Sequence, residues 1–158
     1  MSLGDLCALV KGRVPLVIEV KSHFDGDRRL VARMAEVLAA YSGPAVGMSF
    51  DPDHVIGLRE LLPSRPRGIV AERHYTESDW PEASLAQRRG MKDMRHFLRT
   101  QPDFVAYWID ELPAAAPWIA RNILGCPLLT WTVRTDEQRQ RAARYADQMI
   151  FEGFVPEP

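Results

Sequence analysis

Very little in this chain could cross-link it, hold it in a membrane or draw it to a polyanion. Its two cysteines, Cys7 and Cys126, lie far apart beside ordinary apolar neighbours, with no C-x-x-C and no histidine at metal-ligand spacing. Both are expected as buried thiols, which suits a reducing, cytoplasmic setting. Acids and bases cancel to a formal net charge of −1, so no broad field favours nucleic acid or an anionic membrane, and no nucleic-acid partner is expected. No apolar run approaches the roughly 20 residues that span a bilayer, and no basic stretch precedes an apolar one near Met1. Neither a transmembrane segment nor a leader is therefore expected. A G-x-G-x-x-G turn is also absent, which argues against dinucleotide binding. The four histidines are scattered, and none sits beside a nucleophile in a way that would anchor a Ser-His-Asp triad.

What the chain does have is a repeated alternation of short apolar runs and amphipathic stretches. With 158 residues, 46% of them apolar, it has the size of one domain and enough apolar mass for a core. The run Val14 to Val20 is rich in β-branched residues and apolar on both faces, as in a parallel strand covered on both sides. Leu30, Val31, Met34, Val37 and Leu38 then recur at helical spacing until Ser42, Gly43 and Pro44 stop the pattern. Further strands are predicted at 45–50, 68–72, 104–109, 128–133 and 148–151, and further helices at 52–62, 82–100, 112–124 and 136–146. Asp51 followed by Pro52 reads as an N-cap with proline in the first turn. A short helix over 2–11 precedes the first strand, with Leu3, Leu6, Leu9 and Val10 facing inward. The long polar connection through Trp80 and Pro81 is the strongest candidate for a functional loop.

Six β/α units with short connections predict a parallel sheet with right-handed crossovers. A closed (β/α)8 barrel needs eight strands. The expected fold is accordingly a partial TIM barrel, one domain over 1–158 comprising the third to eighth units, with the first two strands missing.

In such a barrel, chemistry sits at the carboxyl ends of the strands. Glu19 and Lys21 are two residues apart on one strand and project to the same face. An acid and a base among Val, Leu and Ile either pair with each other as a rim ion pair or serve a ligand. A carboxylate there could hold a hard divalent cation while the ammonium meets a phosphate oxygen. Trp131 closes the fifth strand, where an aromatic ring either fills space or forms a wall for an organic ligand. Ser49 and Phe50 end the second strand, and Ser49 is equally suited to helping a helix cap. His54 and His96 are expected to be solvated, His74 lies in the long loop, and His23 follows the first strand. A strand-end lysine could also form a Schiff base if desolvated, but Glu19 beside Lys21 should keep it charged.

Five stretches in order are similar to bacterial glycerophosphodiester phosphodiesterases. Gly12 to Ser22 (GRVPLVIEVKS) resembles that family's third strand and Met48 to Phe50 its fourth. Pro66 to Gly68 resembles the approach to its fifth, Leu129 to Val133 its seventh, and Ala146 to Pro156 its eighth. The resemblance implies a divalent-metal hydrolase, using calcium or magnesium, that splits a glycerophosphodiester into glycerol 3-phosphate and an alcohol. It implies that Glu19 is a metal ligand, that Lys21 is the phosphate-side cation and that Trp131 is part of the substrate wall. The family's His-Arg pair, its acidic pair and a further histidine have no counterpart here, so weak or absent metal binding and negligible activity are expected of this chain alone. An alternative is a degenerate barrel that binds a phosphorylated ligand or a partner chain without catalysis. Open sheet edges are expected to favour self-association.

Overall fold

The computed structural model describes residues 1–155; Pro156, which ends the last of the five stretches, lies outside them. Six parallel strands form one sheet whose spatial order follows the chain: β1 (Leu16–Glu19), β2 (Ala45–Ser49), β3 (Arg67–Ala71), β4 (Phe104–Trp108), β5 (Leu128–Val133) and β6 (Gln148–Phe151). Every neighbouring pair is parallel. Sequential order without a reversal is the topology of a curling barrel wall, not of an open sheet wound in both directions. The fold is a partial TIM-like barrel, as the alternation predicts.

The helix α1 (Leu3–Val10) precedes β1, and α2 (Arg29–Ala39), α3 (Pro52–Leu61), α4 (Leu85–Lys92), α5 (Phe97–Thr100), α6 (Ala115–Asn122) and α7 (Asp136–Tyr145) fill the connections. In α2 the buried residues are Val31, Met34, Ala35 and Leu38, a single face at helical spacing. Val31 and Leu38 are fully buried, each contributing roughly 1.5–3 kcal/mol of transfer free energy. Arg65 ties down the end of α2 and the segment that follows it, donating to the carbonyls of Leu38 (2.9 Å), Gly43 (3.0 Å) and Tyr41. Gly47 lets the layers close, because a Cβ there would lie 2.7 Å from Met34 Cε and 2.9 Å from Leu58 Cδ1.

Side chains alternate between two cores. Outward-facing residues such as Leu16, Ile69, Val105 and Leu128 pack under the helices. Inward-facing Met48, Val70, Phe104 and Ala106 form a separate cluster with Phe50, Leu129 and Trp131. Phe104 lies across Gly68, where a Cβ would come within 2.2 Å of its ring. On β1 the inward side is open, and Val17 is 47% exposed.

Four expectations need correction. The 82–100 helix is two pieces, α4 and α5, separated at Met94, which has a left-handed φ of 50°. It starts late because Ser84 and Gln87 form a capping box. The 112–124 helix begins at Ala115, since Leu112 precedes a proline and is extended (φ −83°, ψ 138°). Leu9 faces solvent, and Cys7 is the buried residue of α1. His54 and His96 are buried, not solvated. Both cysteines are free, buried thiols as expected.

Candidate functional site

The carboxyl ends of β1 to β5 open into one cleft of about 590 Å³. Lys21 and Phe50 enter it just beyond β1 and β2, Glu72 just beyond β3, Trp108 at the end of β4 and Trp131 from β5. The connection after β3 folds back over the mouth and adds His74, Asp79 and Trp80, while the turn after β4 adds Asp110 and Glu111. The long loop thus closes one side of the site, as its length suggests.

Aromatic rings dominate the walls. Phe50 lies 4.6 Å from Trp80 and 5.5 Å from Trp131 between ring centroids. Trp108 is stacked on Trp131 at 6.5 Å, and Tyr75 and Phe24 support Trp80 from behind at 5.1 and 5.9 Å. The indole N–H of Trp131 donates to the Ala106 carbonyl at 2.9 Å, and that of Trp80 to Glu72 Oε1 at 2.8 Å. Both indoles therefore turn only ring surface toward the cleft.

The charged groups are unevenly distributed. Among the described residues, four carboxylates face one ammonium, that of Lys21. Glu111, with its side chain only 6% exposed, accepts from the backbone N–H of Arg73 and is paired with His74 Nδ1. Asp110 is tied to Gln138 at 2.9 Å and lies 3.7 Å from Arg141. Among the described residues, neither Glu72 nor Asp79 has an ion-pair partner. Burial first, and then the nearby carboxylates Glu111 and Asp79, push the Glu72 carboxyl above its ordinary value, against the hydrogen bond from Trp80.

Lys21 and Trp131 line this cleft together. Glu19 shares their inward face, since its neighbour Ile18 packs with the outer cluster. Its carboxylate accepts from Lys21 Nζ at 2.6 Å and borders a groove of about 420 Å³ along the outer edge of β1. The structure thus joins Glu19 to Lys21 but opens Glu19 to the edge groove instead of the cleft. Lys21 is 80% exposed, so the desolvation a Schiff-base lysine needs is missing. Ser49 is used structurally, donating to the Val20 carbonyl at 2.7 Å and accepting from Asp51 N–H at 3.1 Å. His23 pairs with Glu82 at 2.6 Å outside the cleft.

A divalent ion needs several oxygen ligands converging on one point. Among the described residues no group of three His, Cys, Asp or Glu side chains converges in that way, and the Glu19 carboxylate is already engaged by an ammonium. These residues alone do not fit a chelated metal.

No family model matches the chain, and no curated protein matches it. Solved structures do. A putative glycerophosphoryl diester phosphodiesterase from Silicibacter pomeroyi superposes with a TM-score of 0.68 at 22% identity, over 94% of this chain and 52% of that one. This chain shares its fold with part of a glycerophosphodiester phosphodiesterase barrel. A phosphodiesterase from Oleispira antarctica, in complex with its product sn-glycerol-3-phosphate, matches with a TM-score of 0.69 at 13% identity, over 94% and 56% of the two chains. The glycerophosphodiester phosphodiesterase of Thermotoga maritima matches with a TM-score of 0.65 at 16% identity, over 96% and 59%. The chain spans a little over half the length of these structures. Among its described residues, no helix is long and apolar enough to cross a membrane.

Sequence reasoning missed Glu72, Trp108 and Glu111, and named the loop through Trp80 without giving that ring a role. Glu72 had a signal: it ends an apolar run where Glu19 ends the first, and the same argument from strand tips applies to it.

Proposed function

We propose that this chain forms one side of a binding cleft for a glycerophosphodiester, in a barrel of the metal-dependent phosphodiesterase type. The observation that carries this reading is that Lys21 and Trp131 meet in one strand-end cleft, in a fold shared with a phosphodiesterase that holds sn-glycerol-3-phosphate. Lys21 supplies an exposed ammonium for a phosphate oxygen. Trp131 gives the organic part a flat wall whose orientation is fixed by its hydrogen bond to Ala106. Glu19 is one ligand of a divalent cation, calcium or magnesium, only where other groups complete the set. In the chain alone it holds Lys21 in place instead.

Hydrolysis also needs an acid for the departing alkoxide, and one positioned acid or base contributes about 10²–10⁴-fold. His74, the one histidine at the cleft, is engaged by Glu111. Turnover by the chain alone is therefore negligible, while binding persists. The pairing of Glu19 with Lys21 also favours a second reading, a phosphate-ester binding barrel without catalysis. Titration calorimetry with sn-glycerol 3-phosphate and with an unrelated phosphate monoester separates the two. Binding that prefers the glycerol ester and falls at least about tenfold in Lys21→Ala, one charge-assisted contact, supports the phosphodiesterase reading. Equal binding of the two esters favours the second, and binding unchanged in Lys21→Ala refutes both.

A further inference from the structure

The outer side of the sheet carries a second polar pocket of about 360 Å³, between the end of α4, the strand β4 and the start of α6. Tyr107 reaches it from the outward face of β4, where it packs with Ile69 and Val105. The pocket and the strand-end cleft therefore lie on opposite faces of one strand, and no residue lines both. Two cations border the pocket, Arg73 just after β3 and Lys92 at the end of α4, and neither side chain has an ion-pair partner among the described residues. The carboxylate that borders it, Asp93, is already held by Arg95 at 2.7 Å. The start of α6 adds bare backbone. Ala114 is its N-cap and brings no side-chain oxygen, whereas Ser2, Ser84 and Thr135 cap their own helices. The N–H groups of Ala115 and Ala116 are thus left without a partner among the described residues. Tyr107 supplies an independent sign of a missing ligand. It is only 2% exposed, yet it lines the pocket, and its hydroxyl has no described partner at ordinary hydrogen-bond distance. Glu111 stands near but is engaged by the Arg73 N–H and His74. Burial first, and then the charge of Glu111, push the phenol above its ordinary value, so the oxygen keeps its proton as a donor.

We propose that this outer pocket is a second anion site, for a phosphate dianion that is either free or the end of a phosphate monoester. Arg73 and Lys92 neutralise its charge, the Ala115 and Ala116 N–H groups donate to it from the positive end of α6, and Tyr107 donates its O–H. A phosphate group brings three strong acceptor oxygens to this set of donors, whereas chloride offers no directed acceptors. The site stands apart from the glycerophosphodiester reading, because it uses no residue of the strand-end cleft.

The test is titration of the full chain with sodium phosphate, with ethyl phosphate and with sodium chloride at matched ionic strength, following the amide resonances of Ala115 and Ala116. Phosphate is expected to shift both amides to saturation with a Kd of about 1 mM or tighter, equally in the wild type and in Lys21→Ala, while chloride leaves them in place. Arg73→Gln with Lys92→Gln, both on exposed side chains, should weaken binding at least about tenfold. Tyr107→Phe removes only the hydroxyl and should weaken it about fivefold, the scale of one neutral hydrogen bond. Ethyl phosphate binding as tightly as phosphate supports a monoester ligand; binding by phosphate alone supports the free ion. Amide shifts that climb with phosphate without saturating, or binding unchanged in the Arg73→Gln, Lys92→Gln double variant, overturn the proposal. Saturable phosphate binding that vanishes in Lys21→Ala places the anion in the strand-end cleft, which removes the outer site and leaves the phosphodiester reading intact.

Discussion

His96 makes the fold acid-sensitive in a way that can be calculated. It sits at the start of α5, buried, with Nδ1 lacking any hydrogen-bond partner. Burial, with a smaller contribution from the Arg99 guanidinium, lowers its pKa to about 4 from an ordinary 6.5. The folded state therefore holds a neutral ring at pH values where the unfolded chain binds a proton. Stability from this group is complete above the unfolded pKa and is lost as pH falls through 6.5 toward 4. Between pH 7.5 and pH 5 the loss is about 2 kcal/mol, and it approaches about 3 kcal/mol near pH 4. Urea unfolding at pH 7.5 and pH 5, for the wild type and for His96→Phe, isolates it. The phenyl ring keeps an aromatic side chain of somewhat larger size without a titrating group, and the unpartnered Nδ1 forfeits no hydrogen bond there. His96→Phe should be less pH-dependent than the wild type by about 2 kcal/mol over that interval. Equal pH dependence would mean that the imidazole is solvated when folded and that the burial argument is wrong.

Two other predictions concern the sheet. Gly68→Ala places a methyl against Phe104 at the floor of the inner core and should cost about 1–3 kcal/mol, the usual penalty for overpacking; an unchanged urea midpoint would show that the ring moves aside freely. Among the described residues β1 and β6 end the sheet, and Val17 stands open on the inner side of β1. Light scattering should therefore show a mass that rises with protein concentration, and Val17→Lys should suppress the rise; a wild type monomeric at all concentrations contradicts this.

The strands were legible because each is a short, largely apolar run between turn signals, and strand periodicity alone put Glu19 and Lys21 on one face. The sequence left Trp131 open between a space-filling ring and a wall, and the structure turns it to the cleft. Other features were hidden because they depend on chain segments far apart in sequence. Glu72, Trp80 and Trp108 converge only because the sheet curls and the loop after β3 returns across the mouth. Nor does alternation reveal that Glu19 would spend its carboxylate on Lys21 and border the edge of β1. His54 looked polar within its helix, yet the segment before α2 covers it and Asp27 offers its carbonyl at 3.0 Å. The short α4 and α5 were misjudged as one helix because helical periodicity does not register a single left-handed residue at Met94.

The central claim, that the strand-end cleft binds a phosphate-bearing ligand between Lys21 and Trp131, is tested most directly by amide and indole chemical-shift mapping during titration with sn-glycerol 3-phosphate. Binding in this cleft should concentrate the shifts at Lys21, Phe50, Glu72 and the Trp131 indole, all saturating with one dissociation constant. Shifts confined to the opposite end of the sheet, or to the outer faces of the helices, would contradict it.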